Sequence, residues 1–215
     1  DSVNVNGSAL VVNARTLTMA GNSTLDAQGA VFIQTSADTT LHNVDAESSV
    51  KVNSDNIIIN GVVDAVSTID LDSVNTTTVN GRVNAIGNVD IDTQANTDIN
   101  GTVHSNAVLT INANTGLVSD AAISSGSNLI ITSSNGAVQL NETVTSGGLL
   151  NVAATGSVEF NQDVNVIGTS TIDTDNNIVI NDVFNSNGAV QLLADKNITI
   201  NADLTTLSNL VINSK

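Results

Sequence analysis

The sequence predicts an all-β fold, a parallel β-helix with three short strands in each coil of about 20 residues. Three observations predict it. A pair of apolar residues one position apart returns from Leu10 to Leu210, covering 200 residues in 10 steps. Within each period apolar and polar residues alternate, the period of 2 expected of a strand with one wet face. The chain also favours Val, Ile and Thr over good helix formers, which argues against a helical reading. A period sustained over this length marks a solenoid, in which a coil buries its apolar side only by stacking on its neighbours.

The first strand of each coil carries the pairs Leu10/Val12, Val31/Ile33, Val50/Val52, Ile69/Leu71, Val89/Ile91, Leu109/Ile111, Leu129/Ile131, Leu150/Val152, Ile172/Thr174, Val190/Leu192 and Leu210/Ile212. With Ile172 as the leading residue of its pair, the step from Leu150 is 22 residues and the next is 18, read as loop adjustments, with Thr174 as the polar exception. The second strand follows at Leu17/Met19, Ile57/Ile59, Thr77/Val79, Thr97/Ile99, Val138/Leu140, Val158/Phe160, Ile178/Ile180 and Ile198/Ile200. The stretch with adjacent Leu117 and Val118 lacks a clear pair. The third strand is marked by Leu25, Val44, Val63, Val83, Val103, Ile123, Val144, Val164, Val183 and Leu204, several followed two positions later by Ala or Ser at a corner. Stacked hairpins would satisfy the alternation but not three unequal apolar segments per period. At about 4.8 Å per coil the rod would be on the order of 50 Å long. Its core is expected to be stacked aliphatic columns, with Phe32, Phe160 and Phe184 scattered and Gly147–Gly148 a flexible corner.

An asparagine column follows the second strand at Asn60, Asn80, Asn100, Asn141, Asn161, Asn181 and Asn201. Asparagine tolerates left-handed backbone geometry and bonds locally through its amide. Stacked at equivalent corners, these amides are expected to bond from coil to coil as a structural ladder.

The formal net charge is −16, from 21 acidic and 5 basic residues. That balance excludes a cationic surface for nucleic acid or for an anionic membrane. No window is apolar enough for membrane insertion. Cysteine is absent, which rules out disulfides and thiolate metal sites. The chain opens on Asp1 inside the repeat pattern. The expectation is a single β-helical repeat segment over residues 1–215, processed or excised from a longer protein.

The strongest charged feature is the pair of short columns Asp70/Asp90 and Asp72/Asp92, whose alternation with Ile and Leu points them outward. Carboxylates stacked in this way are read first as a solvated acidic face and second as oxygen ligands for Ca²⁺. Otherwise no cofactor is expected. Catalysis is not expected either, because no substrate cleft or cluster of Asp with Arg, Lys, His and aromatic platforms accompanies the acids. His42 and His104 lie about three coils apart, and Arg15, Lys51, Arg82, Lys196 and Lys215 are too dispersed to cradle phosphate. Asn22, Asn75, Asn141 and Asn197 open matches to the glycosylation acceptor pattern, which an Asn-, Ser- and Thr-rich chain produces by chance.

Gly87-Asn88-Val89-Asp90-Ile91, Gly126-Ser127-Asn128-Leu129-Ile130-Ile131 and Asp195-Lys196-Asn197-Ile198-Thr199-Ile200 resemble the haemagglutinin-type repeats of filamentous haemagglutinin-like exoproteins, the two-partner secretion adhesin family. The resemblance covers nearly the whole chain. It implies a right-handed parallel β-helix in a large bacterial surface or secreted protein, commonly an adhesin or a contact-dependent toxin-delivery protein, whose shaft projects a separate tip. The family's amino-terminal secretion domain and a toxin-like terminal domain are not evident. The function expected is a structural shaft of an extracellular or outer-surface adhesin or fibre, as in cell adhesion or biofilm. The alternative is a Ca²⁺-dependent or glycan-binding module, with a polysaccharide-degrading enzyme behind it. Expected partners are neighbouring β-helical repeats of the same protein and, through uncapped ends, further copies stacked head to tail. No receptor follows from the sequence.

Overall fold

The computed structural model describes residues 2–7 and 9–215. They form an all-β parallel solenoid of 32 strands in three sheets of 11, 11 and 10. Sheet I runs from Ser2–Val5 to Leu204–Thr206, sheet II from Ala9–Ala14 to Leu210–Ser214, and sheet III from Leu17–Thr18 to Ile198–Ile200. The chain visits the three sheets in that order and then climbs one coil, so every strand between the ends of its sheet pairs with its equivalents above and below. Sheets II, III and I hold the first, second and third strands read from the sequence.

The register through the middle coils is 20 residues. Ile69 lies beside Val89 and Leu71 beside Ile91, Thr77 beside Thr97, and Val83 beside Val103. Because side chains alternate across a strand, this register stacks like on like. Val50, Ile69, Val89, Leu109, Leu129 and Leu150 form one buried column, and Val52, Leu71, Ile91, Ile111, Ile131 and Val152 form the next. The outward residues between them remain part-exposed. Burial of the aliphatic columns is what holds the coils together, at about 25 cal/mol per Å² of apolar surface.

The core is not purely aliphatic. Most sheet II strands contribute a third inward residue, and Ser54, Ser73, Thr93, Ala113, Ser133, Ala154, Thr174 and Ala194 fill it in successive coils. Small side chains fit here because the chain turns immediately into sheet III. Several of these hydroxyls are bonded: Ser54 to Thr35, its equivalent one coil down, at 2.7 Å, and Ser73 and Thr93 to Thr77 of sheet III at 2.9 and 3.0 Å. Buried serines at the end of sheet I serve the opposite corner. The single hydroxyl proton of Ser105 is shared between the carbonyls of Gly87 and Val108, and that of Ser125 between those of Ala107 and Asn128. A buried carbonyl without such a partner is costly.

Several sequence expectations are corrected. Sheet II aligns Leu150 with Ser170 and Val152 with Ile172, so there is no 22-residue step. Ser170, fully buried, is the polar exception in the leading column, and Thr174 belongs to the small-residue column. Phe184, not Val183, takes the inward place beside Val164 and Leu204. Phe160 and Phe184 are not scattered: their rings meet edge to face at 5.8 Å and 87°, a favourable aromatic geometry. The stretch with Leu117 is a regular strand, Gly116–Ser119, in which Ser119 replaces the apolar partner beside Ile99. The Gly147–Gly148 corner is tightly stacked, since a Cβ on Gly147 would lie 2.2 Å from the Gly126 carbonyl oxygen.

Candidate functional site

Two side-chain arrays repeat along the outside of the solenoid. The first is the asparagine ladder at the corner between sheets III and I. Asn80 Nδ2 donates to Asn60 Oδ1 at 2.9 Å and Asn100 Nδ2 to Asn80 Oδ1 at 3.0 Å. A second run passes from Asn201 to Asn181 to Asn161 to Asn141 at 2.6 to 2.7 Å, and Asn141 donates to Asp120 Oδ1 at 2.6 Å. Each amide donates toward the lower-numbered coil, and Asp120, which can only accept, closes the upper run. All seven asparagines read as a ladder from the sequence stand in one of these runs. Asp120 was missed because it is not an asparagine, although its spacing of about one coil from Asn100 and from Asn141 marked the place.

Other asparagines cap backbone. Asn56 Oδ1 accepts from the Thr76 N–H, Asn88 Oδ1 from Val108 and Asn128 Oδ1 from Leu149. Amides at corners therefore continue the hydrogen bonding that the sheets make along their strands.

The second array is acidic. Asp70 lies in register with Asp90, and Asp72 with Asp92, on the outer face of sheet II. Lys51 occupies the coil below, beside Asp70. Its ammonium contacts Asp70 directly and Asp72 at 2.9 Å. These bonds, to Asp70 first and Asp72 second, raise the Lys51 pKa. In the coil above, Asn112 Nδ2 donates to Asp92 Oδ1 at 2.6 Å. Asp90 has neither aid, and its Oδ1 is buried without a hydrogen-bond partner. Burial first, and then the charges of Asp92, Asp70 and Asp72, push its carboxyl up to about 6. Among the described residues no three His, Cys, Asp or Glu side chains converge in a group suited to hold a metal ion. The quartet is a row of neighbours with one cation at its foot.

A further acidic column, Asp26, Asp45 and Asp64, is in register on sheet I. Arg82 Nη2 pairs with Asp64 at 2.7 Å. The sequence reading did not single it out, although Asp-Ala follows Leu25, Val44 and Val63 in each coil. His104 sits outward on sheet I between Ser124 Oγ at 2.7 Å and Asn106 Oδ1 at 2.6 Å. His42 lies at the corner beyond Leu41, remote from it in the stack.

Concavities follow the edge where sheet II turns into sheet III. One of about 240 Å³ is lined by Thr132, Ser134, Thr155, Asp173 and Asp175 among others, and one of about 120 Å³ by Asp92, Gln94, Asn112 and Asn114 among others. Both fall below the roughly 300–1,000 Å³ of ligand pockets. A hollow of about 440 Å³ near the first coils is lined by Asn13, Ala14, Gln34, Thr35 and Ser36. None joins a convergent acid, base and nucleophile. Among the described residues no helix is long and apolar enough to cross a membrane. In comparisons with known proteins, no family model, no curated protein and no solved structure matches the chain.

Proposed function

We propose that this chain is a structural shaft segment of a bacterial surface or secreted adhesin or fibre, of the filamentous haemagglutinin-like kind that its repeats resemble. The observation that carries this reading is the unbroken stack: sheet II keeps its pairing through 11 strands with no long insertion between coils. A shaft works by length and stiffness, and both follow from parallel pairing that continues from coil to coil. The place of action under this reading is the extracellular space or the bacterial outer surface, and no reaction is assigned. The partners are neighbouring repeats of the same protein. Parallel pairing passes from coil to coil through the apolar columns, as from Leu192 to Ile212, and repeats on either side would extend it. Head-to-tail stacking of copies uses the same columns and would bring Leu210-Val211-Ile212-Asn213 onto Leu10-Val11-Val12-Asn13.

Antibodies to the segment should decorate intact cells of the parent bacterium; staining only after permeabilisation would overturn the location. Calorimetry with Ca²⁺ and a glycan array should give no saturable binding by the purified chain. Light scattering over a concentration series separates head-to-tail growth, where mass rises, from a fixed mass. A second reading, a Ca²⁺-dependent or glycan-binding module, is favoured by one observation, the unpartnered Asp90 oxygen beside three further carboxylates. Saturable binding lost in Asp90→Asn would establish it over the shaft.

A further inference from the structure

The sequence contains Asn-Gly at 6–7, 60–61, 80–81, 100–101, 135–136 and 187–188. Asparagine before glycine is open to internal attack because no side chain shields the glycine nitrogen. That nitrogen, on losing its proton, adds to the asparagine Cγ. The Cγ–Nδ2 bond breaks, ammonia leaves with the proton, and a five-membered succinimide closes. One water then opens the ring to aspartate or isoaspartate. The sequence makes the six sites alike, but the stack does not.

Gly81 N–H donates to the Ile59 carbonyl at 3.0 Å, Gly101 N–H to Val79 at 2.9 Å and Gly188 N–H to Gly168 at 3.0 Å. At these sites the nucleophile is held in the coil below. Asn80 and Asn100 also donate through Nδ2, which fixes their side chains in the ladder. Asn60–Gly61 differs at the nucleophile and, from the other ladder sites, at the leaving group. Among the described residues Gly61 N–H donates to no acceptor: Asn60 N–H takes the Leu41 carbonyl, and Val62 N–H takes Asn43 Oδ1. Asn60 is the lowest rung, so its Nδ2 makes no ladder bond. Its Oδ1 accepts from Asn80 Nδ2 at 2.9 Å, as Asn80 Oδ1 does from Asn100, a donor that polarises the carbonyl under attack as an oxyanion hole does. Asn60 is exposed, as Asn80, Asn100 and Asn187 are, so exposure does not separate the sites. Asn135–Gly136 is intermediate. Gly136 N–H is also without an acceptor among the described residues, but Asn135 Nδ2, the leaving group, is held by Asn114 Oδ1 at 2.6 Å.

We propose that Asn60 is a self-modification site, where the folded chain deamidates ahead of Asn80, Asn100 and Asn187. The fold already contains the product's counterpart. Asp120 accepts from Asn141 at 2.6 Å as the bottom rung of the upper run, and an aspartate at 60 would accept from Asn80 in the same way. An aspartate at 80 would lose its donation to Asn60. The ladder thus leaves its lowest rung reactive and makes the conversion there tolerable.

The test is peptide-mapping mass spectrometry on the whole chain, held folded in mildly alkaline buffer and, in parallel, unfolded in urea. Folded, Asn60 should convert about tenfold or more faster than Asn80, Asn100 and Asn187, since those sites must first open locally. Unfolded, the four rates should converge. Equal rates in the folded chain would overturn the proposal, and so would a preference for Asn60 that persists unchanged in urea.

Discussion

At the residue scale, Asp90 is where the stacking rule works against stability. Its in-register neighbour is Asp70, its neighbour two positions along is Asp92, and the one cation on this patch, Lys51, is bonded to Asp70 and Asp72 instead. With the carboxyl pushed up to about 6, the folded chain holds a proton that the unfolded chain has released. Stability is therefore undiminished below about pH 4, falls as pH rises toward about 6, and carries the full penalty above that. The unscreened penalty would approach ~3 kcal/mol, but this carboxylate is only half-buried, and solvent and salt reduce it to about 1 kcal/mol. Asp90→Asn should stabilise the chain by about that amount near pH 7 and by nothing near pH 4. Urea unfolding at the two pH values measures it. An equal gain at both would mean that ionisation of Asp90, with its burial and its acidic neighbours, is not the cause.

At the element scale, the corner after sheet III is set by two columns, one of amides and one of glycines. A Cβ on Gly81 would sit 1.7 Å from the Gly61 carbonyl oxygen, and one on Gly101 1.8 Å from that of Gly81. Gly81→Ala must push two coils apart and should destabilise by about 2 kcal/mol or more. Asn80→Ala loses a rung on either side, at about 1 kcal/mol each, whereas Asn201→Ala at the end of its run loses one. Thermal melts of the three variants should rank them in that order, and an Asn80→Ala melt no lower than Asn201→Ala would remove the ladder from the account. These columns were legible in the sequence because Asn-Gly returned in register at 60, 80 and 100. The fold was legible for the same reason. What escaped had a physical cause in each case. Ser170 was passed over because a search for apolar pairs slides past a buried serine to Ile172, although Ser170 Oγ finds Ser186 Oγ at 3.2 Å. Phe184 was passed over because Val183 beside it is equally apolar, and only pairing decides which of two adjacent residues faces inward. The hydroxyl seam of Ser73, Thr77 and Thr93 was invisible because serine and threonine read as surface until their partners are known. The acidic quartet was legible as a set, but the separate condition of Asp90 depended on where Lys51 and Asn112 reach.

At the scale of the whole molecule, stability should be nearly a sum over coils and their interfaces, because each coil touches only its neighbours. Removing residues 80–99 tests this directly. The cut takes one strand from each sheet and joins Val79 to Asn100, so every column closes in register, with Ile69 meeting Leu109 and Thr77 meeting Leu117 as its new neighbour. Asp70 and Asp72 would then lie beside Thr110 and Asn112, the present neighbours of Asp90 and Asp92, and the repulsive stack would be gone. The shortened chain should melt cooperatively, at or near the parent temperature, and solution scattering should show a rod shorter by about 5 Å. Removing only residues 90–99 is the counterpart. It truncates the strand that begins at Val89 and deletes Asn96–Ile99 outright, leaving sheets II and III with a gap that neither neighbour can fill. That chain should lose cooperative melting or expose its core to a hydrophobic dye. If instead the 20-residue cut unfolded the chain as badly as the 10-residue cut, the molecule would depend on one particular coil, and stackability could not be the property on which a shaft is built.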